Sequence, residues 1–268
     1  MKIGGRDFDV ENKTYIMGIL NVTPDSFSDG GKWSEMDKAL RHVEEMIADG
    51  ADLIDVGGES TRPGHTPVSA EEEAERVTPV IEAICTRFDI PVSVDSYKAC
   101  VAEAALKAGA ALVNDVWGLK YDPEMAGVIA GYKVPCCLMH NKEKAEYDNF
   151  LVDMLHETQE CVNLARKAGI EKDKIILDPG IGFGKTYEMN LEAMRRLELF
   201  HELGYPVLLG TSRKSTIGRA LDLPVTERVE GTLATTVIGV MKGCAFVRVH
   251  DVKENKRAVQ MAEAILGR

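Results

Sequence analysis

Polar residues recur at one kind of place in this 268-residue chain: the ends of short apolar runs. In chain order they are Asn21, Asp55, Asp95, Asn114 with Asp115, His140, Asp178, Ser212 to Lys214, and Arg248 with His250. Solvation or helix capping accounts for any one of them, Asp95 or Asp178 included. It accounts poorly for nearly every run ending this way while the run interiors stay apolar. The residue types also complement one another. Carboxylates and amides can read the hydrogen-bonding edge of a heterocycle, since Asp accepts while Asn both donates and accepts. Lys214, Arg248 and Arg62 can neutralise an anion, and a guanidinium offers phosphate oxygens a forked donor pair that lysine lacks.

Other chemistries fit less well. The segment Asp178-Pro-Gly-Ile-Gly-Phe-Gly-Lys-Thr186 looks like a phosphate loop, but the position that needs its first glycine holds Pro179. Its glycines run G-x-G-x-G, which also breaks the dinucleotide fingerprint. They more plausibly let backbone approach a ligand beside Asp178. No His/Cys/Asp cluster has zinc spacing, and no Ser/His/Asp ordering is evident. His42, His65, His156 and His201 read as surface residues.

The elements that must position these residues repeat regularly. Candidate strands are Tyr15–Asn21, Leu53–Gly58, Pro91–Asp95, Leu112–Val116, Val134–His140, Lys174–Gly180, Pro206–Ser212 and Phe246–Asp251. Amphipathic stretches such as Ala70–Phe88, Leu151–Ala168 and Leu191–Leu203 lie between them. The interval from Asn21 to His250 divides into steps of about 33 residues, the size of a βα unit. Runs such as Ile175-Ile176-Leu177 predict strands buried on both faces, as in a parallel sheet. Eight such units predict an α/β fold, a (β/α)₈ TIM barrel forming a single domain over 1–268, and 268 residues suit it. An open doubly wound sheet is the alternative. Gly4-Gly5 predicts an N-terminal hairpin within residues 1–14 that closes the barrel floor. The segments Val22–Lys32 and Ser60–Ser69 are longer than routine βα loops and are candidate active-site lids.

Composition narrows the function classes. The net charge of −11 disfavours nonspecific binding to nucleic acid or anionic membranes. No window is long and apolar enough to span a bilayer, and Met1–Asp9 has no apolar signal core. The six cysteines form no C-x-x-C pair and read as reduced thiols of a cytoplasmic protein.

At this point the residues resemble a known family. The run Met17-Gly-Ile-Leu-Asn-Val-Thr-Pro-Asp-Ser-Phe-Ser-Asp-Gly-Gly31 resembles the first-strand and loop motif of dihydropteroate synthases. So does Asp55-Val-Gly-Gly-Glu-Ser-Thr-Arg-Pro-Gly64 after the second strand. The likeness continues through Ser93–Ser96, Asn114–Gly118, Leu138–His140, Asp178–Thr186, Gly210–Ser215 and Arg248–Asp251, in order along essentially the whole chain.

The resemblance implies a transferase that joins 6-hydroxymethyl-7,8-dihydropterin pyrophosphate to 4-aminobenzoate for folate synthesis. It further implies a sulfonamide target and a homodimer. It implies a pterin slot of Asp95, Asn114, Met139, Asp178, Gly210 and Lys214. Pyrophosphate would meet Asn21, Arg248 and His250, with Mg²⁺ on Asn21. Aminobenzoate would lie among Thr61, Arg62, Pro63, Phe183 and Ser215. Lys214, Arg248 and His250 would serve catalysis, with Asp25 or Asp29 assisting the cation or the amine. Two rivals stand beside this reading. A methyltetrahydrofolate-dependent methyltransferase would share the heterocycle pocket but would not need the Thr61-Arg62-Pro63 and Ser212–Ser215 blocks. A catalytically silent pterin-binding protein would not need Asn21, Lys214, Arg248 and His250.

Overall fold

The computed structural model describes residues 1–22, 32–59 and 67–268, with the backbone alone at 32–35. Most of both expected lids therefore lies outside the described residues. A short hairpin opens the chain, β1 (Lys2–Ile3) against β2 (Arg6–Asp7). Its turn uses Gly4 and Gly5 at φ +55° and +84°, a region that side chains with a Cβ rarely enter.

Among the described residues, eight parallel strands then form a barrel: β3 (Tyr15–Asn21), β4 (Leu53–Gly57), β5 (Val92–Asp95), β6 (Leu112–Asp115), β7 (Cys136–Met139), β8 (Ile175–Asp178), β9 (Leu208–Leu209) and β10 (Phe246–Val249). Each of β3 to β7 pairs with its successor, and β10 joins β3 on one side and β9 on the other. A single bridge, Leu177 to Val207, closes the ring between β8 and β9. Between and after the strands run α1 (Lys32–Ala48), α2 (Ala70–Arg87), α3 (Ala99–Lys107), α4 (Met125–Tyr132), α5 (Phe150–Lys167), α6 (Tyr187–Arg195), α7 (Ser215–Leu221), α8 (Val229–Met241) and α9 (Val252–Leu266). The barrel and hairpin follow the sequence pattern.

The period-two alternation of a strand sorts its side chains. Outward residues such as Ile54, Val94, Val113, Leu138 and Leu177 pack with the helices in the larger core. Inward residues Met17, Leu53, Leu112, Cys137, Ile176, Leu208 and Phe246 form a separate apolar floor, stoppered by Ile3 and Phe8 from the hairpin. Phe8 meets Tyr15 edge-on at 4.7 Å between ring centroids and lies 5.8 Å from Phe246.

Several strands are a few residues shorter than expected, and two elements differ most from the sequence pattern. The Leu191–Leu203 pattern divides in two. α6 starts earlier, at Tyr187, because Thr186 Oγ1 accepts from Met189 N at 3.2 Å. After Arg195 the chain tightens into a 3₁₀ helix, Leu197–Leu203, in which Leu197 and Phe200 are both buried. Their spacing of three matches the 3₁₀ period rather than the α period. The expected Pro206–Ser212 strand shortens to Leu208–Leu209, since Pro206 has no N–H to give the ladder.

The floor generates a stability prediction. Phe8→Ala is expected to lower the unfolding free energy by about 3 kcal/mol, read from the denaturant midpoint, while the folded fraction keeps the site's ligand affinity. An unchanged midpoint would show that the hairpin does not support the barrel.

Candidate active site

Two residues beyond each floor residue, on the same strand face, stand Ile19, Asp55, Asn114, Met139, Asp178, Gly210 and Arg248. β5 contributes Ser93 and Asp95. The apolar floor thus carries a polar layer at the C-terminal mouth, where barrel enzymes place their chemistry.

Arg248 ties this layer together. Its Nε donates to Asp55 Oδ2 at 2.6 Å and its Nη2 to Asp95 Oδ2 at 2.6 Å. Asn114 Nδ2 donates to the same Asp55 oxygen at 3.1 Å. The Asp55 side chain is fully buried and that of Asp95 is 5% exposed, so each charge requires the guanidinium. Burial raises the Asp95 pKa to about 7; Arg248 opposes the shift, and neighbouring Asp55 reinforces it. Among the described residues, Asp55 Oδ1, Asp95 Oδ1 and Ser93 Oγ are buried without a hydrogen-bond partner. Unsatisfied buried acceptors of this kind indicate a ligand that supplies donors.

A second group flanks the first. Asp178 Oδ1 accepts from Gly180 N at 2.7 Å. Burial raises the Asp178 pKa, and Lys214 is the foremost group opposing that shift. Lys214 Nζ donates to Ile181 O at 2.5 Å and sits 4.7 Å over the Phe183 ring. Burial also draws the Lys214 pKa down to about 8, with Asp178 countering. Gly210 borders this corner: a Cβ there would lie in ordinary contact, 3.6 Å from Asp178 Oδ2 and 3.8 Å from Lys214 Nζ. Met139 packs with Tyr97, Val116, Trp117 and Phe183, an apolar wall beside the polar groups.

At the rim, His250 N donates to Ser212 Oγ at 3.1 Å, and that oxygen lies 2.9 Å from His250 Nδ1. The hydroxyl has a proton and a second lone pair left for Nδ1, and its role there follows the ring tautomer. Asn21 ends β3, and Gly57 lies between it and Asp95: a Cβ on Gly57 would be 3.8 Å from Asn21 Oδ1 and 3.5 Å from Asp95 Cβ. Ser215 is exposed at the start of α7. Asp25, Asp29, Thr61, Arg62 and Pro63 lie outside the described residues. Just before residues 60–66, Glu59 accepts from Tyr97 OH at 2.7 Å and from Lys98 Nζ at 2.5 Å; just after them, Val68 O accepts from Lys98 Nζ at 2.6 Å.

The structure thus brings together Asp95, Asn114, Met139, Phe183, Asp178, Gly210, Lys214 and Arg248. Asp115 turns elsewhere and accepts from Trp117 N and Leu119 N at 2.8 and 2.7 Å, which makes it a turn cap. The Arg248 fork, expected on phosphate, grips two carboxylates, so its Nη1 protons remain for an anion. Two polar residues of the layer carry no assigned role in the sequence reading: Asp55, visible there only as a strand-end residue, and Ser93. Counting two residues on from the floor positions would have found Asp55, and Ser93 shares the inward parity of Asp95.

Comparison with known proteins agrees with this geometry. A family model described as pterin binding enzyme matches residues 17–250. A dihydropteroate synthase of Clostridium beijerinckii is 64% identical over the full length of both chains. That of Bacillus subtilis is 58% identical over 96% of this chain and 90% of its own. The crystal structure of the Clostridium difficile dihydropteroate synthase with pteroic acid superposes with a TM-score of 0.94 at 52% identity, covering 97% of this chain and 99% of that one. The Yersinia pestis enzyme in a sulfonamide complex gives 0.93 at 42% identity, covering 100% and 99%.

The carboxylate pair generates a pH prediction. Arg248→Met leaves Asp55 and Asp95 facing one another and is expected to cost about 3 kcal/mol of stability at pH 8. A buried carboxyl with a raised pKa binds a proton more readily folded than unfolded, so the folded form gains as pH falls through that pKa. The deficit should therefore shrink between pH 8 and pH 5.5 in denaturant titrations. A pH-independent deficit would show that Arg248 does not compensate these charges.

Proposed function

The chain belongs to the pterin-binding enzyme family, and from that premise we propose how it makes 7,8-dihydropteroate from 6-hydroxymethyl-7,8-dihydropterin pyrophosphate and 4-aminobenzoate. The observation that carries the reading is the layer of Asp55, Asp95, Asn114, Asp178 and Lys214 around Arg248, with buried acceptor oxygens left over. A dihydropterin edge presents several N–H donors, which is what those oxygens lack. Asp95 Oδ1 and Asp178 Oδ2 accept from that edge. Asn114 Oδ1 adds an acceptor, its amide already donating to Asp55. Lys214 has two protons beyond the one on Ile181 O and meets the pterin's acceptor atoms. Met139 and Phe183 flank the ring, and Gly210 makes room for it.

The pyrophosphate lies toward Asn21, His250 and the Arg248 Nη1 protons. Mg²⁺ fits this donor set. It prefers oxygen ligands and is commonly shared with substrate phosphates, so one amide oxygen from Asn21 suffices without a carboxylate cage. Among the described residues, no group of three or more His, Cys, Asp or Glu could hold a metal. When bound, the ion supplies Lewis-acid stabilisation of the charge on the departing phosphate oxygens.

The reaction is a dissociative substitution. The methylene C–O bond breaks with its electron pair leaving on pyrophosphate, and the conjugated dihydropterin delocalises the cation. The neutral aryl amine then attacks the methylene, forms the C–N bond and loses one N–H proton, with Asp25 or Asp29 assisting the cation or the amine. Arg248 and His250 stabilise the departing charge, and the pterin groups fix the methylene for attack. Ser215 receives the aminobenzoate carboxylate, while Thr61, Arg62, Pro63, Phe183 and Lys214 surround its ring. We further propose a cytoplasmic homodimer. Six free cysteines support a reducing compartment, and exposed apolar side chains on α8 and α9, Met241 at 64% and Ile265 at 74% exposure among them, support self-association.

Purified protein given both substrates and Mg²⁺ should release pyrophosphate, and neither substrate alone should suffice for dihydropteroate; no turnover would refute the reading. Arg248→Lys should lower kcat at least about tenfold and also weaken pterin binding, since the fork holds Asp55 and Asp95. A kcat within about twofold of the parent would remove Arg248 from the leaving-group role.

Asp95→Asn tests recognition. It should weaken binding of a non-reactive pterin by about 1–3 kcal/mol. Protonation of Asp95 likewise turns its acceptor into a donor, so parent affinity should fall as pH drops below about 7. Calorimetry across pH reads both, and a flat parent profile with an unimpaired variant would exclude Asp95 from the pterin edge.

A further inference from the structure

The Gly182-Phe183-Gly184-Lys185-Thr186 run, which fails as a phosphate loop, turns its lysine onto its own backbone. Lys185 Nζ lies 2.8 Å from His140 Nδ1, 3.0 Å from Gly180 O, 3.0 Å from Phe183 O and 3.5 Å from His140 O. An ammonium only donates, so His140 Nδ1 accepts and its ring proton sits on Nε2, facing Glu157 Oε2 at 2.9 Å. Lys142 holds the other Glu157 oxygen at 2.6 Å. Burial, with Lys185 next, keeps the imidazole neutral by lowering its pKa to about 2.

The loop between β8 and α6 is pressed hard onto the segment after β7. A Cβ on Gly180 would stand 2.0 Å from His140 O, and one on Gly184 would stand 2.4 Å from Lys142 O. Tyr147 OH donates to Gly184 O at 2.7 Å. The other side of the same loop serves the pocket. Gly180 N holds Asp178 at 2.7 Å, and Ile181 O holds Lys214 Nζ at 2.5 Å.

We propose that Lys185 is a positioning residue for the pterin pocket: by gathering Gly180 O, Phe183 O and His140 Nδ1 on one ammonium, it fixes the loop that orients Asp178 and Lys214. The proposal rests on the pterin-binding reading above and requires no contact between Lys185 and substrate. An apolar side chain here leaves Phe183 O and a ring nitrogen without a donor and Gly180 O with Phe183 N alone, a costly state in a crowded site. Relief comes only if the loop moves toward water, which carries Ile181 O away from Lys214 and lets Gly180 N leave Asp178. Pterin recognition then suffers although none of its contacting side chains has changed.

The test compares the parent chain with Lys185→Met and Lys185→Gln. Calorimetry gives the affinity of 6-hydroxymethylpterin, steady-state kinetics gives KM for each substrate, and nitrogen NMR reads the His140 ring. In Lys185→Met, pterin binding should weaken about ten- to hundredfold, and KM for the pterin pyrophosphate should rise at least tenfold more than KM for aminobenzoate. The His140 Nδ1 resonance should shift as its donor disappears. Lys185→Gln keeps one amide donor for a loop carbonyl and should recover part of the affinity. Parent-like pterin affinity in folded Lys185→Met would overturn the proposal, as would equal rises in both KM values. Should Lys185→Met fail to fold by circular dichroism, Lys185→Gln decides: parent-like affinity alongside a shifted His140 nitrogen overturns it. A parent chain that neither binds the pterin nor releases pyrophosphate would instead refute the functional reading beneath it.

Discussion

The contact on which the site depends is the grip of Arg248 on Asp55 and Asp95. Two buried carboxylates in one barrel interior repel each other and lose their hydration, and a single guanidinium between them compensates both. The three residues come from β10, β4 and β5, so the pairing exists only if the barrel closes in the observed register. It also leaves acceptors over. Each aspartate gives one oxygen to Arg248 and keeps a second that has no hydrogen-bond partner among the described residues. The interaction that makes the cluster tolerable in the fold therefore also equips it to read a donor-rich ring.

The barrel separates stability from chemistry by height. Its floor is apolar, stoppered by Ile3 and Phe8, and packs apart from the larger shell between strands and helices. One strand repeat higher, the same inward positions carry Asp55, Asn114, Asp178 and Arg248. Burying charge is unfavourable, and a rigid apolar base with helices all round holds such groups at fixed separations without water to rearrange. Gly57 and Gly210 border these groups: a Cβ at Gly57 would be in van der Waals contact with Asp95, and one at Gly210 with Asp178 and Lys214.

Two lysines near the proposed pterin pocket are tuned by the same means toward different ends. Burial lowers the pKa of Lys214 to about 8 and that of Lys185 to about 7, while Asp178 is the foremost group favouring the charged form of each. Lys214 keeps protons for a ligand beyond its bond to Ile181 O. Lys185 spends its donors on backbone and on His140. The histidine at the end of the fifth barrel strand is buried behind the loop, between Lys185 and Glu157.

Much of this was legible in the sequence. Strand parity depends on backbone geometry alone, so the apolar runs, their polar ends and the βα spacing determined the barrel and placed Asp95, Asn114, Asp178 and Lys214 at its mouth. The motif blocks from Met17 to Asp251 determined the family. What the tertiary structure decided is which of these groups hold one another. Arg248 lies 193 residues from Asp55 and 153 from Asp95, and no local pattern reports that its fork is taken by carboxylates. Lys185 reads in sequence as a failed phosphate loop, because its acceptors include His140, 45 residues away across a strand and a helix. The 3₁₀ turn at Leu197 likewise follows from which face the core covers. Local periodicity is set by bonds between near neighbours, whereas partner choice among buried charges is settled only when closure brings distant strands into register.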